Sequence, residues 1–349
     1  MYWGLSGRLG SLRMARRLPV LTWQMITVTV GSALHYDRRA GCHHWGTKLS
    51  STCVRTAVLC QIRKNGTGGA TLLLDDVLAD LTSQLDDQAE LGVQITVQNE
   101  VPDRGPANKG LWLRIPNVTA VFVDLKRSTE LSADSRPETS AFAYTYFVRA
   151  MVVIFDRFGS KYIDIHGDGV FALFSGQQSE YRAIASAVTA RTQIELDIAD
   201  RFKEDTSTDW ELTAGVGIDR GTLLVRRLGL RGKKQNEVWA GKPVNMAAKL
   251  SSAADSNQVV VSDRVFSRYR QASYIRRRAL LWTCGCCEGV EGDGLDAPIG
   301  ETECLWTQEA APGEMGLDFD QIYRLESKWC CIHGAEFCET IVTGCRPED

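Results

Sequence analysis

No cysteine occurs between residues 61 and 283 of this 349-residue chain. The cysteines gather instead at Cys42, Cys53 and Cys60 and at Cys284, Cys286, Cys287, Cys304, Cys330, Cys331, Cys338 and Cys345. A secreted disulfide scaffold spreads its bridges through the core. A bare middle and an odd total of 11 point instead to a reducing, cytoplasmic setting. Acids are nearly missing from residues 1–70, where Asp37 stands alone against ten of the chain's 40 Lys and Arg. The whole chain has no basic excess, with a formal net charge of −3, so a global electrostatic footprint for nucleic acid is excluded. No apolar run reaches the roughly 20 residues of a membrane-spanning helix. The nearest approach, Leu18–Leu34, is broken by Pro19, Gln24 and three threonines, and no membrane partner is expected. No internal repeat is present.

What remains is ordinary globular composition, 44% hydrophobic and 24% charged. Residues 1–70 read as a poorly defined basic extension outside the fold. A basic start before an apolar run also resembles a signal, anchor or transit segment. Asn65-Gly-Thr-Gly-Gly69 reads as a linker. Residues 71–114 form a helical lead-in, with Leu74, Val77, Leu78, Leu81 and Leu85 at helical spacing. Thr119–Leu125 is a β-branched and aromatic strand ending in an acid. Residues 137–158 form an amphipathic helix with Pro137 at its start. Lys161–Phe174 is a β-hairpin turning at His166-Gly-Asp-Gly169. Helix 180–203, strand 212–218, helix 244–254, strand 259–262 and helix 264–269 follow. The order predicts an α+β sandwich, a mostly antiparallel sheet with helices on one face. Its catalytic core spans 115–280, and a small Cys-rich region, 281–349, packs on that core.

Asp124 ends one strand, and Asp168 sits at the tip of a hairpin expected to pair beside it. Two such carboxylates, with Gly167 and Gly169 keeping the turn open, suit a pair of Mg²⁺ or Mn²⁺ ions, because hard cations take oxygen ligands. Two metals can activate a hydroxyl and hold a triphosphate during in-line displacement. Spacing alone also allows them to be an ordinary strand-end acid and turn acid.

Four segments in order, VFVDLKRSTEL, KYIDIHGDGVFALF, AGVGIDRG and VWAGKPVNMAAKLSS, resemble the class III nucleotidyl cyclase homology domain over roughly residues 115–270. The resemblance implies a two-metal reaction from nucleoside triphosphate to 3′,5′-cyclic nucleotide and pyrophosphate. It makes Asp124 and Asp168 the metal-binding aspartates, with the Leu125 carbonyl as a further ligand. It makes Asn245 the ribose-orienting asparagine. Lys249 falls where the family usually has an arginine that stabilises charge on the α-phosphate, and lysine brings a point charge in place of a planar fork. It also implies a homodimer, with the metal aspartates of one protomer facing Asn245 and Lys249 of the other.

Asp164 stands at the first base-reading position, where adenylyl cyclases have lysine and guanylyl cyclases glutamate. Val238 stands at the second. An ionised carboxylate only accepts hydrogen bonds, so Asp164 suits a base edge that donates, as guanine, uracil and cytosine do. Phe122 lies two residues before Asp124 and on the same face of the strand. It either packs on the base or ribose or is plain core. These departures, with AGKPVNMAAKLSS, look most like the Pycsar pyrimidine cyclases of bacterial antiphage defence. That likeness implies a soluble dimer acting on UTP or CTP, whose cyclic product activates a separate effector protein. Purine cyclase activity and a catalytically weak nucleotide-binding domain stay as alternatives.

Cys284-Gly-Cys-Cys287 and Cys330-Cys-Ile-His-Gly-Ala-Glu-Phe-Cys338 hold six cysteines and His333. Four of these ligands suffice for Zn²⁺. The spacing matches no standard finger, and packed reduced cysteines explain it equally.

Overall fold

The computed structural model describes residues 68–102, 111–229, 235–271 and 305–329, together with residues 334, 338, 339, 341 and 342. The expected basic extension and most of the Cys-rich region lie outside them, including every cysteine except Cys338. The chain divides into two units, residues 1–85 and 86–349.

Helix α1 (Gly68–Leu91) carries the first unit's described residues and runs into the second. Val77, Leu81 and Leu85 recur along it at helical spacing, and all three are exposed.

The second unit is built on one nine-stranded sheet. Strands β1 (Gln94–Val97) and β2 (Leu111–Leu125) come first in sequence. Helices α2 (Ser128–Asp134) and α3 (Pro137–Arg157) lead to the hairpin β3 (Tyr162–His166) and β4 (Gly169–Phe174). Helix α4 (Ser179–Gln193) continues through one wide turn into α5 (Ala199–Thr206). Strands β5 (Ala214–Gly229) and β6 (Gln235–Ala240), helix α6 (Lys242–Ala253), strand β7 (Gln258–Ser262) and helix α7 (Asp263–Gln271) follow. Strands β8 (Trp306–Ala310) and β9 (Gln321–Leu325) close the order.

The strand order is β3-β4-β2-β5-β7-β9-β8, with β1 added to β2 and β6 to β5. Among the described residues only β1–β2 and β5–β7 are parallel pairs, so the sheet is mostly antiparallel, as the sequence predicts. β8 and β9, which the sequence reading assigned to a separate region, extend the central sheet through β7.

One residue of each adjacent pair along β2 faces each side. Val121, Val123 and Leu125 enter a core with α3, α4 and α5, including Phe147, Phe155, Val188 and Phe202. Val118 and Ala120 enter a second core on the other face, with Phe171, Leu173 and Ala247. Helices α3, α4 and α5 therefore share one face, as expected. The expectation of helices on one face needs one correction: α6 covers the opposite face, through Ala247 and Leu250. A single apolar stripe on α6 gives no sign of which face it will cover.

β2 is far longer than the expected 119–125. Its first half contains Pro116, which reads as a strand breaker. The structure absorbs it in a register shift against β5 between Ile115 and Val118, with Asn117 at φ 59°.

Candidate active site

Asp124 is the penultimate residue of β2, opposite Gly169 on β4 and Gly215 on β5. Glycine on both sides leaves room for the Phe122 ring beside Gly169 and for the Lys126 side chain over Gly215. A Cβ on Gly169 would stand 2.7 Å from the Phe122 ring and 3.1 Å from Asp124 Oδ1. The two-residue turn from β3 to β4 places Gly167 at φ 63°, a conformation glycine adopts without steric cost. Asp168 comes next, and its carbonyl accepts from the Leu125 amide at 3.3 Å. One backbone hydrogen bond thus fixes the hairpin tip to the end of β2. The Ser128 hydroxyl donates to Asp168 Oδ2.

Burial, and then the charge of Asp168, push the Asp124 carboxyl above its usual range; Lys126 opposes the shift. The Lys126 ammonium is lowered chiefly by burial. It donates to the carbonyls of Ser251 (2.9 Å) and Ser252 (3.3 Å) in the last turn of α6. There it satisfies helix-end carbonyls. Two oxygen donors that raise each other's energy, beside a peptide carbonyl at Leu125, fit a divalent hard cation. No group of three or more His, Cys, Asp or Glu gathers among the described residues.

Beside this pair runs an aromatic face. Phe122 stacks on Phe171 with ring centroids 6.4 Å apart. Phe171 also meets Tyr162 at 5.9 Å and His166 at 5.3 Å, and Tyr162 meets Trp239 at 4.7 Å. Asp164 sits between Tyr162 and His166 on β3, opposite Phe171. Its carboxylate is within 3.2 Å of His166 Nε2, accepts from the Tyr162 hydroxyl at 3.4 Å, and accepts from the Ile165 amide at 2.9 Å. Asp164 is therefore a partnered acceptor on the rim of an aromatic surface, and Phe122 belongs to the same surface.

Val238 is placed differently. It pairs with Arg226 and is 41% exposed. Its neighbour Trp239 packs on Tyr162, so Val238 projects from the opposite side of β6. Within one chain, the structure brings Trp239 toward Asp164's neighbours and does not bring Val238.

Asn245 and Lys249 lie one turn apart on α6, with Asn245 exposed and Lys249 partly buried. The Lys249 ammonium donates to the carbonyls of Met315 (2.6 Å) and Gly316 (3.1 Å), in the loop between β8 and β9.

Sequence reasoning missed Tyr162, His166, Phe171 and Trp239. Tyr162 and His166 were within reach, because both stand two residues from Asp164 and share its face. Phe171 and Trp239 required the strand register. It also missed a charged chain at the start of α6. Asp219, fully buried on β5, takes two hydrogen bonds from Arg264 at 2.7 Å each. Arg264 then reaches Asp318 at 2.8 and 3.2 Å, and Lys242 meets Asp318 at 2.7 Å. These residues are far apart in sequence.

The described end of the chain packs near α4 and α7. Trp306 meets Phe266 at 5.6 Å, and the Trp329 indole donates to Thr189 Oγ1 at 2.7 Å. Burial raises the Cys338 thiol to about 11, and its sulfur lies 3.9 Å from Thr189 Oγ1. The other proposed zinc ligands lie outside the described residues. Among the described residues, no helix is long and apolar enough to cross a membrane.

The sequence profile of the adenylate and guanylate cyclase catalytic domain matches residues 113–279. A uridylate cyclase from Propioniciclava tarda is 34% identical over 245 residues, covering 68% of this chain and 72% of that protein. A uridylate cyclase from Micromonospora echinofusca is 29% identical over 276 residues, covering 76% and 85%. The crystal structure of the adenylyl cyclase CyaB from P. aeruginosa is 18% identical, with a TM-score of 0.48, over 62% of this chain and 96% of that one.

Proposed function

The chain belongs to the adenylate and guanylate cyclase catalytic domain family, and we propose that it is a pyrimidine cyclase, turning UTP into 3′,5′-cyclic UMP and pyrophosphate with CTP as the weaker substrate. The observation that carries this reading is the 34% identity to a uridylate cyclase across most of both chains. The acceptor-only Asp164, beside the aromatic face, supports it from the residues themselves.

In this reading the ribose 3′-hydroxyl attacks the α-phosphorus and pyrophosphate leaves. Asn245 orients the ribose, and Lys249 neutralises charge that grows on the α-phosphate. Asp124, Asp168 and the Leu125 carbonyl hold two divalent cations. Those cations supply charge neutralisation on the phosphates and a lowered pKa for the attacking hydroxyl. Asp164 accepts from uracil N3–H. Cytosine donates only through N4 and turns its N3 lone pair toward the same acid, so it ranks second. Guanine donates too, but with Phe122 packed over the base its second ring would fit less well. The working unit is a homodimer with two composite sites, and the product acts on a separate effector protein in defence against phage.

The test is incubation with each of the four triphosphates and Mn²⁺, with products separated by chromatography. Cyclic UMP as the fastest product is expected. Faster turnover of ATP or GTP than of both pyrimidines would overturn the pyrimidine assignment and leave the cyclase assignment standing.

A further inference from the structure

The loop joining β8 to β9 lies along α6 and touches it at both ends. Near the start of α6, Asp318 receives Lys242 at 2.7 Å. Two turns further along α6, Met315 and Gly316 offer their carbonyls to Lys249. Beside these contacts, Leu317 and Phe319 pack with Leu250, Ala254, Val260 and Ile322. Asp318 is also gripped by Arg264, which lies 5.2 Å over the Phe319 ring and is anchored on the buried Asp219. An ion pair standing alone at the surface contributes little. This one continues through a fork-shaped guanidinium to a fully buried carboxylate, the geometry in which charge-assisted bonds fix position.

The loop's own hydrogen bonds explain why its carbonyls face Lys249. The Met315 amide donates to Pro312 and the Gly316 amide to Gly313, at 3.1 and 3.3 Å. With those amides used inside the turn, the carbonyls at its end are left as acceptors, where a cation is favoured. A lysine ammonium has three donors. Two are taken here by carbonyl oxygens. A lysine normally brings a point charge on a flexible stem, without the rigid fork of arginine. The two carbonyls supply the fixed direction that the side chain lacks.

We propose that Asp318 is a positioning residue for cyclisation: by pinning the β8–β9 loop through Arg264 and Lys242, it makes the Met315 and Gly316 carbonyls aim the Lys249 ammonium at the α-phosphate. This rests on the cyclase reading and on the role given there to Lys249. Nothing in the loop touches substrate in this account; the effect passes through Lys249 alone.

The test is a double-mutant cycle on the full chain with UTP and Mn²⁺, measuring kcat and KM. Asp318→Ala should lower kcat about ten- to a hundred-fold, as small misplacements of a catalytic group do, with little change in KM. In a Lys249→Ala background, the same substitution should change kcat less than about threefold. In a Lys249→Arg background, where the fork supplies its own geometry, the loss should also shrink. A thermal melt accompanies each variant. Should Asp318→Ala fail to fold, Lys242→Gln takes its place, because it removes one largely exposed partner and leaves the Arg264 anchor. Equal losses in all three backgrounds, or full activity of the substituted chain, overturn the positioning role and leave the cyclase reading intact. An unmodified chain that cyclises none of the four triphosphates overturns both.

Discussion

Gly217 on β5 lies directly against the α6 backbone at Ala247. A Cβ placed on Gly217 would stand 2.0 Å from the Ala247 carbonyl oxygen and 2.3 Å from the Ser251 amide nitrogen. Neither atom belongs to a side chain that can rotate away, so the close approach of helix to sheet depends on glycine. Gly217→Ala should therefore displace α6. A destabilisation at or above the upper end of the ~1–3 kcal/mol of overpacked cores is expected. Because Asn245 and Lys249 ride on α6, activity should fall further than stability alone requires. Denaturant melts with parallel activity assays check both.

Asp124→Ala and Asp168→Ala should each abolish turnover while the fold survives, since both acids stand at element ends. They should also remove the rise in melting temperature that Mn²⁺ gives the unmodified chain, about 2.7 kcal/mol of stabilisation at a hundred times the dissociation constant. Near-native activity of either variant in Mn²⁺ would refute the metal assignment.

The proposed composite sites are tested by a mixing experiment. Asp124→Ala chains should be inactive alone, and Lys249→Ala chains should keep only a small residual turnover. After subunit exchange, half of the dimers are mixed and each mixed dimer regains one intact site, so about a quarter of the unmodified activity should return. Exchange shown by mass spectrometry without any recovery would rule out sites shared between protomers.

Asp164→Asn should blur the choice among bases, because an amide donates as well as accepts. The loss of a hydrogen bond to a charged group costs about 1.5–3 kcal/mol. That corresponds to about ten- to a hundred-fold in discrimination between UTP and ATP. Metal-induced stabilisation should be unchanged. Competition assays with paired triphosphates measure the ranking.

Asp318 has its carboxyl held down at about 2, first by the Arg264 hydrogen bond, against the opposing effect of burial, and then by Lys242. A depressed folded pKa stabilises the protein above the unfolded value, near 3.8, and the contribution disappears as pH falls through about 2. Asp318→Asn should therefore melt below the unmodified chain at pH 5–7, and the gap should close as pH falls from about 4 toward 2. A gap independent of pH would show that the charge is not what stabilises.

Local pattern made much of this molecule readable in advance. The hairpin at 161–174 is visible because apolar alternation brackets a glycine-rich turn; the long-range pairing of β4 with β2 is what puts Asp168 beside the end of β2. Helices at 137–157 and 179–193 announce themselves by 3.6-residue periodicity and a proline at the start of the first. The placement of Asp124 at a strand end and of Asp168 at a turn tip was legible from nearby residues, while the roles given to them and to Asp164 come from the family resemblance.

What depends on distant residues was not legible. β1 and β6 are short, carry exposed apolar residues, and gain strand character only by pairing with β2 and β5. The sequence determined that α6 is a helix bearing Asn245 and Lys249 on one face. It could not determine which face of the sheet α6 covers, because its apolar stripe fits either. The glycine at 217 decides that, by admitting the helix backbone on one side only. Nor does any local signal join Asp219, Arg264, Asp318 and Lys242, since an ion pair leaves no periodicity in the chain. Only the tertiary structure sets these four side by side, and with them the loop that holds Lys249.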